Sequence, residues 1–194
     1  MMSELRDKVI MAMSSLDFVS RTYPMLTDWG VRDQDVLVHS LGCSAWTALS
    51  QELGCIAVCE CPAPVAYSAD IRSDSVWFSR SSQKPEVLIE FERFEGSNRG
   101  QQKLDEKVCN LLDSAARWGD VPKLLVLSAW SKGVVSAPDT SKLMERCKIG
   151  FKTSVGVAVP PIRGATVLLF NRMIFNVQRD ESLVLTHSRC ERLM

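Results

Sequence analysis

Residues 123–130, KLLVLSAW, constrain the fold more than any other stretch of the chain. Side chains alternate between the two faces of a β-strand, and here both faces are apolar. Such a strand has to be covered on both sides, which places it centrally in a sheet flanked by helices. The cover is encoded next to it. Residues 101–118, QQKLDEKVCNLLDSAARW, set Leu104, Val108, Leu111, Leu112 and Ala115 on one helical face. Before them lies another strand, EVLIEFERF (86–94), so the three segments form a strand–helix–strand unit with parallel strands.

The remaining elements fit around that unit. Residues 3–20 have helical spacing, and Tyr23-Pro24 breaks the helix. A second helical region spans 33–54, with Gly42 as a candidate dividing point and Gly54 as its stop. CIAVCECPAP (55–64) and SDSVWFS (73–79) read as strands, the latter joined to 86–94 through a turn at SSQKP. A helix over 139–151 and strands in VGVAVPP and ATVLLFNRMIFNV complete the order. The expected fold is α/β, a mixed central sheet flanked by helices, in a single domain. Residues 1–32 are a helical extension, 33–178 the core, and 179–194 a tail with no readable signal.

Composition narrows the function classes. The 23 basic and 23 acidic residues cancel, which gives no support to a non-specific nucleic-acid binder while leaving room for a local basic patch. Seven scattered cysteines without a CxxC pair read as free thiols in a reducing cytoplasm. No secretory signal and no apolar run of membrane-spanning length are seen, so no membrane partner is expected. The only histidines are His39 and His187, too few for a histidine-rich metalloenzyme, and His39 reads as structural. No phosphate-binding GxxxxGK[ST] loop and no GxSxG elbow is present.

What needs explaining is the pair Glu90 and Glu92, on one face of a strand whose other residues are mostly apolar. Burying carboxylates unpaired is expensive, so a cationic partner, a proton or a metal ion is required. Asp74 opens the preceding strand, and a hairpin would bring it alongside. Hard divalent cations take oxygen ligands of this kind. Read from the residues alone, the pair is either one wall of a metal site or a partly exposed face salt-bridged to Lys103 or Arg99. Asp70 is a rival to Asp74, but Asp74 directly precedes the strand.

Asp74, the Glu90-x-Glu92 spacing and the element order over 40–130 together resemble the PD-(D/E)XK nuclease superfamily, the restriction-endonuclease-like fold. The resemblance implies an αβββαβ core and hydrolysis of DNA phosphodiesters with Mg²⁺ (or Mn²⁺). It implies Asp74 and Glu90 as metal ligands, with the Phe91 carbonyl, and Glu52 as the acidic residue of the preceding helix. Glu92 stands where the family usually has lysine, and is expected to accept a proton or bind a second ion. Lys103, with Gln101 and Gln102 beside it, is expected to supply the missing cation from the helix, or Arg93 to do so where the strand is distorted. Ser73 stands where proline often precedes the aspartate.

Lys84, Arg93 and Arg99, with Arg80, Lys103 and Lys107, are expected to form either the phosphate-tracking rim a nuclease needs or an ordinary solvated hairpin tip and helix surface. The expected partner is DNA, with RNA left open. A homodimer or a partner-protein complex is also expected, because a duplex cutter with one site per chain needs a second. The alternative function is a nuclease-fold protein with weakened catalysis, acting as a nucleic-acid- or protein-binding assembly subunit.

Overall fold

The computed structural model describes residues 2–32, 36–66 and 70–194. Helices α1 (Met2–Met13) and α2 (Asp17–Thr22), a wide helical turn (Met25–Trp29) and helix α3 (Val36–Glu52) come first. Strands β1 (Cys55–Pro62), β2 (Arg72–Ser79) and β3 (Pro85–Arg93) follow, then α4 (Asn98–Arg117), β4 (Leu124–Lys132) and α5 (Thr140–Ile149). The chain ends with β5 (Phe151–Lys152), β6 (Ala158–Val159), β7 (Val167–Val177) and β8 (Leu183–Arg192). From α3 to β4 the order is αβββαβ, as expected. Residues 33–35, at the start of the expected second helix, lie outside the described residues.

The main sheet has six strands in the order β1-β2-β3-β4-β7-β8. β3, β4 and β7 run parallel, while β1, β2 and β8 join antiparallel. β4 is central for the reason its sequence gives. Leu124, Val126 and Trp130 belong to the core layer that also takes in α1–α3, and Leu125, Leu127 and Ala129 to the layer shared with α4 and α5. Helix α4 begins where the Ser97 hydroxyl accepts the Gly100 N–H and buries Leu104, Val108 and Leu111 against the sheet. Among the described residues, no helix is long and apolar enough to cross a membrane.

Four expectations change. Gly42 does not divide α3. The helix runs through it, and a Cβ there would collide with the Phe91 ring, so the glycine permits close helix–sheet approach. Residues 183–192 are no tail but the edge strand β8, and the N-terminal helices are no extension, since Val9, Met13, Phe18 and Val19 are buried in the core. The two corrections share a cause. Asn171 donates to the Met13 carbonyl (3.3 Å), the Ser188 hydroxyl (3.2 Å) and the Arg189 carbonyl (3.2 Å), and Ser188 donates to the Met13 carbonyl at 2.6 Å. This network buries polar residues on the inner face of β8, so the strand lacks an apolar period. Finally, VGVAVPP contributes only β6, which pairs with β5 outside the main sheet.

Candidate active site

The β2–β3 ladder sets Phe78 opposite Pro85 and closes with Ser75 opposite Ile89. One place further, the same register brings Asp74 to Glu90. There the Asp74 side chain takes over from the backbone ladder, and its Oδ2 accepts the Phe91 N–H at 2.6 Å. The carboxylate is thus fixed by the strand it faces. Asp74 is 6% exposed and Glu90 fully buried. The hairpin expected from sequence brings this pair together.

The cation between them comes from α4. Lys107 Nζ donates to Glu90 Oε2 at 2.6 Å and to Asp74 Oδ2 at 3.4 Å. The other Glu90 oxygen, Oε1, is buried and has no hydrogen-bond partner among the described residues, an unusual state for a buried carboxylate. Burial drives the Glu90 carboxyl above the ordinary carboxylate range; Lys107 opposes this and neighbouring Asp74 adds to it. For Lys107, burial works to lower the pKa, and the attraction of Glu90 and Asp74 outweighs it, so the ammonium is held charged. For Asp74, burial works upward, and His39, Lys107 and the Phe91 N–H together bring the pKa below its usual value.

His39, on α3, approaches from the other side of the sheet, with Nε2 3.8 Å from Asp74 Oδ2. Its ring meets Phe91 edge-on, centroids 5.7 Å apart. The Asp74 carboxylate first, and the Cys43 sulfur second, raise its pKa to about 10. The sequence reading of His39 as structural therefore misses its place beside the carboxylates.

The other expected residues divide. Glu92 lies at the open end of β3, and its carboxylate is 3.6 Å from Lys103. Lys103 thus pairs with Glu92, while Lys107, one turn further along α4, engages Asp74 and Glu90. Arg93 stacks over the Trp130 ring at 5.5 Å, on the mouth of the site. Arg99 is exposed in the first turn of α4. Glu52 is not brought to the group. It is bound to Arg21 at 3.1 Å, thirteen residues beyond His39 on the same helix, or about 20 Å along the axis. Lys84 is not brought there either, because it lies in the β2–β3 turn, six residues from Glu90 and about 20 Å down the strand. Sequence proximity groups hairpin residues that a strand's length holds apart.

Lys107 was legible in part. It stands three residues after Leu104 and four before Leu111, on the stripe that faces the sheet. A lysine in that stripe calls for a buried anion.

Among the described residues, no group of three or more His, Cys, Asp or Glu side chains is arranged to hold a metal ion. The pair Asp74 and Glu90 still suits a hard divalent cation. Mg²⁺ is commonly held by one or two carboxylates, with waters and phosphate oxygens completing its shell, and the partnerless Glu90 Oε1 is a ready donor.

The sequence matches no known protein family profile and no curated protein. Among solved structures, the chain is similar to that of Pyrococcus furiosus SfsA in complex with Ca²⁺, at 12% identity and a TM-score of 0.38, over 84% of this chain and 68% of that one.

Proposed function

We propose that this chain is a PD-(D/E)XK-type nuclease that hydrolyses phosphodiesters in DNA with Mg²⁺ or Mn²⁺. The observation that carries the reading is the buried Asp74–Glu90 pair bridged by Lys107, with Glu90 Oε1 lacking a hydrogen-bond partner among the described residues. When bound by the two carboxylates, a divalent cation would neutralise phosphate charge and lower the pKa of a coordinated water. The remaining work falls to the protein. The Phe91 N–H fixes Asp74. Lys107 and His39 balance the carboxylates while no cation is there, which lets a charged pair stay buried. Glu92, at the mouth and 3.6 Å from Lys103, would serve as the proton acceptor. Lys107, on α4, would stand in for the lysine that the superfamily carries on the strand, a role the sequence suggested for Lys103.

One observation favours the second reading, a nuclease-fold assembly subunit with weakened catalysis. The Lys107 ammonium already neutralises the position a metal ion would take. The deciding experiment is cleavage of plasmid and single-stranded DNA in Mg²⁺ or Mn²⁺ by wild type, Asp74→Asn and Glu90→Gln. Metal-dependent cleavage lost in both variants supports the nuclease. DNA binding without cleavage in any of the three supports the assembly subunit.

A further inference from the structure

A cleft of about 390 Å³ opens beside the carboxylate pair, at the carboxyl ends of β3 and β4. Val36, His39 and Ser40 from the first turn and a half of α3, Lys103 from α4, Glu92 and Arg93 from β3 and Trp130 from β4 line it. His39 belongs to both the cleft and the site, because the same ring that lines the cleft lies 3.8 Å from Asp74. Any group seated here is therefore immediately next to a phosphate held at the carboxylates.

The lining has three distinct chemical parts. Val36 is 72% exposed on the rim, and Trp130, 1% exposed, closes the floor. The Arg93 guanidinium carbon lies over the Trp130 ring, 5.5 Å from its centroid. Lys103 stands opposite, paired with Glu92 at 3.6 Å in a partly exposed ion pair, which an incoming phosphate can rearrange at little cost. An exposed apolar side chain at the rim, a planar guanidinium and an ammonium suit a nucleobase and its flanking phosphate. The volume lies at the small end of the roughly 300–1,000 Å³ range of clefts that hold one small molecule.

Resting on the nuclease reading above, we propose that this cleft takes one unpaired nucleoside next to the scissile phosphate, so that the protein acts on single-stranded DNA rather than continuous duplex. A base in a duplex shows only its edge to a groove. To enter a cleft walled by two helices it has to leave the stack, which a single strand does at least cost.

The test is fluorescence anisotropy with a labelled single strand and the duplex of the same sequence, in EDTA so that no turnover occurs. It uses the wild type, Val36→Glu and Ser40→Trp; both substituted positions are exposed, so folding is spared. Expected are single-strand binding at least about tenfold tighter than duplex binding, and loss of about tenfold in single-strand affinity in both variants with duplex affinity unchanged. Equal or tighter duplex binding, or single-strand affinity unchanged in the variants, overturns the proposal. Cleavage in Mg²⁺ separates this from the parent reading. Metal-dependent cutting of duplex without single-strand preference leaves the nuclease standing and removes the cleft. Tight single-strand binding without cutting does the reverse.

Discussion

Lys107 Nζ lies 2.6 Å from Glu90 Oε2 and 3.4 Å from Asp74 Oδ2, so a helix-borne ammonium ties together carboxylates from adjacent strands. Lys107→Met removes the only ammonium in contact with either carboxylate among the described residues. Removing one partner of a buried ion pair costs about 3–5 kcal/mol, with the low end expected for a side chain that is partly exposed. Thermal or urea unfolding in EDTA measures that loss. Millimolar Mn²⁺ is expected to restore part of it, since a cation then takes the ammonium's place. A loss that Mn²⁺ leaves untouched would argue that the carboxylates hold no metal.

Glu90→Gln separates stability from function. The glutamine keeps the shape and the neutral state that burial favours for Glu90, so unfolding in EDTA near neutral pH is expected at about the same Tm. DNA cleavage is expected to fall by at least about 100-fold. A variant both less stable and fully active would reverse both halves of the assignment.

The metal-free protein should lose stability as pH rises. The folded pKa of His39, raised to about 10 by Asp74 and then Cys43, lies above its unfolded value of about 6.5. Its stabilisation is thus fully present below about pH 6.5 and is lost as pH rises through 10. Glu90 acts in the same direction. Burial makes the folded protein retain a proton that the unfolded chain releases, so ionisation costs stability as pH rises above the ordinary glutamate range. Melts in EDTA are expected to show Tm falling from pH 6.5 upward, with a shallower slope in His39→Asn. A Tm that climbs over that range contradicts the assignment.

The sheet and the carboxylate pair were legible in the sequence because both follow from period. KLLVLSAW could only be central, and a hairpin placing Asp74 by Glu90 followed from two alternating strands and a turn. Lys107 was harder to choose, because Lys103 is nearer in sequence to Glu92 and only the depth of each helical turn over the sheet separates them. His39 was missed because α3 reaches the site from the opposite face, a relation that no local pattern encodes. β8 was missed because its inner face carries Ser188, satisfied by a carbonyl on a helix 175 residues away.

That same network yields a prediction about folding. Asn171 accepts from Ser128 at 2.8 Å and donates to groups on α1 and β8. Asn171→Ala strands these buried partners and is expected to cost about 2–4 kcal/mol in chemical denaturation. It should also raise hydrogen exchange in α1 before it does so in β3. A change within about 0.5 kcal/mol, the usual range for a surface position, would contradict the network's role.

The central claim is that Asp74 and Glu90 form a divalent-cation site, and calorimetric titration of Mn²⁺ into the DNA-free protein tests it without knowledge of the substrate. Wild type is expected to give saturable heat that Asp74→Asn and Glu90→Gln each abolish, with proton release that grows as buffer pH is lowered. Saturable heat of the same size in all three proteins, or none in the wild type, would contradict the claim.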